Sequence, residues 1–225
     1  MDRILYRYII FIAGLYFLSM GIVLIVSSTL GTTPISSVNY VLSLHTPLTL
    51  GIATFLINVI LIAGQFWLIR GRGTRKDRME ILLQIPFSFI FSVFIDFNMA
   101  LMSGVRPSGY AYALALLAAG CLCQAVGVVL ELKPNVAIIS AEGFVKYAAR
   151  RYNRDFGRLK VRFDVTLVTS AVILSLCFSG RIEGVREGSV IAAVATGYVV
   201  SFLSRHVMTR AALHRVASLV HLRHK

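Results

Sequence analysis

At 225 residues, 57% hydrophobic and only 15% charged, the chain is too apolar for a soluble globular domain, whose charged share averages about 25%. The apolar runs are long enough to cross a bilayer and too numerous to be one signal peptide. The net charge of +13 invites a nucleic-acid reading, but its distribution excludes it. Of 23 Lys and Arg, 20 fall before the first apolar run, in 70–78, in 133–162 and after 204, and three (Arg106, Arg181, Arg186) fall in the other connections. Such alternation is what the positive-inside rule and an anionic inner leaflet produce.

Taken in order, the chain opens on Met-Asp-Arg-Ile-Leu-Tyr-Arg and runs to Leu30 without an Ala-x-Ala-type cleavage site, as an uncleaved first span does. No Asp, Glu, Lys or Arg lies between Arg7 and Arg70. Two spans use roughly 20 residues each, so part of this run is neither span. The break at Leu30-Gly31-Thr32-Thr33-Pro34 is the natural place for a broken, re-entrant segment, covering 31–49. Six spans fit the apolar runs, at about 8–30, 50–69, 81–102, 109–131, 161–179 and 188–206. The expected fold is therefore all-α, one six-helix transmembrane domain over residues 1–206 with both termini cytoplasmic. After Arg205, Met208, Ala212, Val216 and Leu219 share one face, so 207–225 reads as an amphipathic tail on anionic inner-leaflet lipids.

Sliding the chain by 106 residues pairs Gly14 with Gly120, Gly21 with Gly127, Gly51 with Gly157 and Asn58 with Asp164. The same offset superposes 8–102 on 109–206. Three spans per block is an odd number, so the second block enters the membrane upside down, as in many secondary transporters. The partner of 31–49 is then 137–155, where two readings stay open. One is a second re-entrant half-helix; the other is a cytoplasmic amphipathic helix, which Lys146, Arg150, Arg151 and Arg154 suit.

Charged groups within apolar runs are costly and need a reason. Asp96 and Asp164 are the candidates, each read either as part of a transport path or as a local salt bridge or cap. Glu142 stands near the start of the second half-helix, placed to cap free N–H groups or to take a cation or proton. Gly31, Thr33, Pro34 and Ser36 mark the first break, and Asn58 adds a neutral polar group. Arg186 and Glu187 belong to a glycine-punctuated loop, 180–189, which reads as a gate or as a self-neutralised turn. Gln65, Gln84 and Gln124 read as interhelical glue. Cys121, Cys123 and Cys177 lie inside apolar runs as buried thiols, and no metal or cofactor is expected.

Leu30-Gly31-Thr32-Thr33-Pro34, Gln84-Ile85-Pro86 with Asp96, Phe156-Gly157-Arg158-Leu159-Lys160 with Phe163-Asp164-Val165, and Gly184-Val185-Arg186-Glu187-Gly188-Ser189 together resemble the YczE/YyaS/YitT-type family of bacterial inner-membrane proteins. The resemblance covers roughly residues 10–206. Ser189 stands where relatives commonly carry Thr, and the chain departs from the family around Asn135–Ser140. The resemblance implies a bacterial integral membrane protein and no particular activity.

The function expected from the residues is a secondary-transporter-like protein for a small molecule or ion. The alternative is a non-transporting membrane scaffold or accessory protein that acts on another complex through its basic cytoplasmic face; the expected partners are a homo-oligomer or an unidentified membrane protein. No activated nucleophile with a base, no His-Glu-x-x-His and no nucleotide-binding loop appears, which argues against an enzyme.

Overall fold

A computed structural model describes residues 2–134 and 136–203 of the protein. The expected tail, 207–225, lies outside the described residues, as does the end of the sixth expected span. Among the described residues the chain is all-helical, in the order α1 (Asp2–Ser27), α2 (Pro34–His45), α3 (Leu50–Leu68), α4 (Arg75–Leu101), α5 (Tyr110–Leu132), α6 (Ser140–Tyr152), α7 (Phe156–Ser179) and α8 (Glu187–Phe202). Five helices, α1, α3, α4, α5 and α7, are long and apolar enough to cross a membrane. The apolar α8 has 16 described residues, a rise of about 24 Å against a hydrocarbon thickness of about 30 Å.

The surface has the polarity of a membrane protein. Trp67, Phe97, Val190 and Tyr198 are exposed, while Gln65, Asn98, Ser140 and Ser175 are fully buried. An exterior this apolar needs lipid around it, and an interior this polar needs internal hydrogen-bond partners. Asn98 finds one in Ser19, 2.9 Å away on α1.

Local chemistry sets the helix boundaries. Thr49 caps α3 by accepting from the Ile52 N–H at 3.1 Å. Thr74 and Asp77 form a reciprocal capping box that starts α4, six residues before the expected span begins. Asp155 accepts from the Arg158 N–H at 2.9 Å and starts α7 early in the same way. Gly180, in the left-handed region, closes α7.

The centre of the bundle is the antiparallel pair α1 and α5. Gly14 and Gly21 on α1 meet Gly127 and Gly120 on α5, two close backbone approaches one above the other. Around this pair, α1 packs on α4 and α5 on α8, while the short helices cross over, α2 onto α7 and α6 onto α3. Each short helix also packs on its chain neighbour, α2 on α3 and α6 on α7.

The two short helices lie at opposite ends of the bundle. Val38 and Val41 of α2 pack with Leu167, Ala171 and Leu174 of α7, and His45 stacks on Phe178 near the α7 C-terminus. Thus α2 runs beside the half of α7 far from the amino terminus. In α6, Ser140 sits beside Ser88, midway along α4, and Arg150 reaches Asp77 in the first turn of α4. Thus α6 runs from mid-bundle back toward the end that holds the α1 N-terminus.

Candidate functional site

The break after α1 is built jointly by two segments far apart in sequence. Thr29 takes a left-handed conformation and Gly31 has φ +139°, where a side chain is strained. The Gly188 N–H donates to the Leu30 carbonyl at 2.9 Å. The Ser189 hydroxyl oxygen accepts from the Thr32 N–H at 3.1 Å and the Arg186 N–H at 3.3 Å. The Thr32 hydroxyl donates to the Gly184 carbonyl at 2.7 Å, and the Arg186 guanidinium to the Thr29 carbonyl at 3.3 Å. The start of α8 therefore holds the chain open between α1 and α2. Thr33 and Ser36 share a hydrogen bond of 2.5 Å at the buried first turn of α2, with Pro34 as its first residue. At the other end of α2, His45 meets Glu183 at 2.6 Å.

The start of α6 is surrounded by uncharged polar groups. The Gln65 amide donates to the Gln84 side-chain oxygen at 2.8 Å and to the Ser140 carbonyl at 3.0 Å, and Gln84 returns a bond at 2.9 Å. Ser88 and Ser140 join their hydroxyls at 3.0 Å. A Cβ on Gly143 would stand 2.8 Å from both amides, so a larger residue there would displace the pair. Removing one buried partner leaves the other unsatisfied at a cost of about 1–3 kcal/mol. Gln65→Leu should lower the thermal midpoint in detergent, and Gln65→Leu with Gln84→Leu should cost less than the two singles summed, read as a double-mutant cycle.

Next to this network lies a small cavity of about 10 Å³, lined by Asn58, Gln84, Ser88, Phe87, Ile138 and Ile139 among others. That is about the space of one water. Asn58 is 5% exposed and makes no side-chain hydrogen bond within the described chain. The first N–H groups of α6, which have no partners within their own helix, begin at the same place.

On the far side of the α6 start, Glu131 of α5 is 2% exposed and faces the Ile139 N–H, with one carboxylate oxygen lacking a hydrogen-bond partner. Glu142 lies within electrostatic reach of Glu131, Lys160 and Asp164. Lys160 pairs with Asp164 at 2.5 Å along one face of α7. Farther along α6 the basic residues are anchored: Lys146 to Glu80 at 2.5 Å, Arg150 to Asp77 at 3.0 Å, and Arg151 to the carbonyls of Leu68 and Arg70. The Tyr147 hydroxyl donates to the Glu80 carboxylate at 3.3 Å.

The sequence matches DUF6198, described as a family of unknown function, over residues 5–205. The chain belongs to DUF6198. No curated protein and no solved structure matches it. The likeness to YczE/YyaS/YitT-type proteins is therefore carried no further than membership of an uncharacterised family.

In this DUF6198 chain the sequence candidates fall into separate groups. Gly31, Thr33, Pro34, Ser36, Arg186 and Glu187 gather at the break, where Arg186 and Glu187 also lie 3.4 Å apart as an exposed pair. Glu142 and Asp164 gather beyond the α6 start, and Asn58 stands at the cavity. Asp96 belongs to none of these: it accepts from the Thr49 hydroxyl at 2.6 Å and the Gly51 N–H at 2.7 Å, holding the start of α3. Glu131, Thr32, Ser140 and Ser189 are the residues that sequence reasoning did not single out as site groups. For Glu131 the signal in the sequence is a carboxylate two residues before Lys133-Pro134, at the edge of an apolar run.

Proposed function

We propose that the protein is a secondary-transporter-like protein of the bacterial inner membrane, with both termini cytoplasmic, that carries a small polar or anionic solute past the start of α6. The observation that carries this reading is Asn58: a largely buried residue whose amide has no hydrogen-bond partner within the described chain and lines a cavity where a helix begins inside the bundle. A partnerless buried amide costs free energy unless a ligand or water takes its hydrogen bonds. The helix start beside it supplies unpaired N–H groups and a partial positive charge, which favour an anion or a polar oxygen. The cavity is water-sized, so in this reading the protein is in a closed state and α6 must shift to admit a larger solute.

We read the two halves of the chain as an inverted repeat, which fits the same proposal. The offset of 106 residues carries Pro34 onto Ser140 and Leu50 onto Phe156, the first residues of α2, α6, α3 and α7. It also exchanges the packing pairs, α2 on α7 for α6 on α3 and α1 on α4 for α5 on α8. One pairing has no counterpart of like extent: α3 packs broadly on α4, and α7 does not do so on α8. In this scheme α2 and α6 are re-entrant halves from opposite sides, and the rocking of one repeat against the other exposes the site alternately.

The test compares small metabolites and ions in deletion cells carrying wild type or Asn58→Ala. Because Asn58 has no partner to strand, the variant should keep its thermal midpoint and elution profile. Wild type should shift the level of one solute or a few related ones, and the variant should reduce that shift about tenfold, the value of one strong ligand hydrogen bond. An unchanged solute shift with Asn58→Ala would remove the basis for placing the site here.

A further inference from the structure

A second cavity, of about 150 Å³, opens at the end of the bundle that holds the α1 N-terminus, lined by Leu68, Ile69, Arg72, Tyr147, Arg150 and Arg151. It is far above the ~10–15 Å³ that a water needs. Three guanidinium groups meet there with one carboxylate among their partners. Asp77 pairs with Arg150 at 3.0 Å while also serving the Thr74 cap. Arg151 spends one nitrogen, Nη1, on the carbonyls of Leu68 and Arg70, at 3.3 and 3.1 Å. The Arg72 guanidinium makes no hydrogen bond or ion pair within the described chain. The cavity thus keeps unspent guanidinium N–H donors and an excess of positive charge, over an apolar floor of Leu68 and Ile69.

Its surroundings indicate its level in the membrane. Trp67 and Tyr152, next in sequence to lining residues, are 61% and 57% exposed. Exposed Trp and Tyr beside basic side chains mark the headgroup layer of a bilayer. Phosphate is the anion whose geometry suits forked guanidinium donors. We propose that this cavity binds the phosphate of an anionic phospholipid headgroup, with Arg72 as its uncommitted contact. The proposal is independent of the transport reading.

The test uses full-length protein in detergent, with bound lipid counted by native mass spectrometry and the thermal midpoint read in parallel. The probes are phosphatidylglycerol, phosphatidylcholine and inorganic phosphate, and the variants are Arg72→Gln and Arg158→Gln. Arg158 is exposed on the same end, outside the cavity, and controls for loss of one charge. Phosphatidylglycerol should bind in preference to phosphatidylcholine and weaken about fivefold in Arg72→Gln, with Arg158→Gln like wild type. Equal weakening in both variants would reduce the site to diffuse surface attraction. Equal binding of the two lipids, or displacement of phosphatidylglycerol by inorganic phosphate at equal concentration, would also overturn it, the last result reassigning the cavity to free phosphate.

Discussion

Gly127→Ala should destabilise the protein by about 2–3 kcal/mol, the upper range for overpacking a close contact. A Cβ there would press on the Leu18 backbone, with the Leu18 Cα at 2.7 Å and the Gly14 carbonyl at 2.9 Å. Backbone on both sides cannot turn aside as a flexible side chain would, so α1 and α5 must move apart along their whole crossing. Gly21→Ala meets the Gln124 backbone at 2.5 Å and should behave alike. The contrast is Gly197→Ala in α8, where nothing lies within 4 Å; its stability should be unchanged or higher by up to ~1 kcal/mol. Thermal melts in detergent, followed by size-exclusion recovery, read all three. Equal melts for Gly127→Ala and Gly197→Ala would mean that the α1–α5 contact is looser than described.

The second large effect belongs to the break. Gly31→Ala places a side chain at φ +139° and drives its Cβ toward the Ser189 side chain and to 2.8 Å from the Ser189 N, so strain and overlap add, for about 3 kcal/mol. Ser189→Ala strands the N–H groups of Thr32 and Arg186, for about 1–3 kcal/mol. Ser189→Thr keeps the hydroxyl and should stay close to wild type. The same melts rank the variants, and a Ser189→Ala protein as stable as Ser189→Thr would show that the hydroxyl does not hold the break.

The spans were legible where apolar runs end at uncharged turns. The expected starts at 50 and 109 fall within a residue of α3 and α5, and Gly31–Pro34 announced its own break because Gly and Pro fit few other conformations. The starts of α4 and α7 were less legible, since their first turns are made of charged and capping residues that hydropathy counts as loop. The stretch 137–155, which the sequence left with two readings, holds α6. Its first residues are buried among amides and hydroxyls, and its later ones are cationic and anchored to α3 and α4. Asp96 looked like a costly intramembrane charge; its carboxylate is taken up by the exposed start of α3, a partner 45 residues away that spacing does not reveal. Asn58 and Ser189 were visible as polar residues, but what distinguishes them is the presence or absence of a partner, which only tertiary structure fixes.

The most direct test of the account is cysteine labelling in sided membrane vesicles, in a background where Cys121, Cys123 and Cys177 are replaced. Single cysteines go at His45 and Tyr152, the far ends of α2 and α6, and at Ser36 and Ala141 in their first turns. An impermeant maleimide should reach His45→Cys from one side only and Tyr152→Cys from the other only, with Ser36→Cys and Ala141→Cys slow from both. Labelling of His45→Cys and Tyr152→Cys from the same side, or first-turn cysteines as fast as the ends, would contradict two half-helices entering from opposite faces.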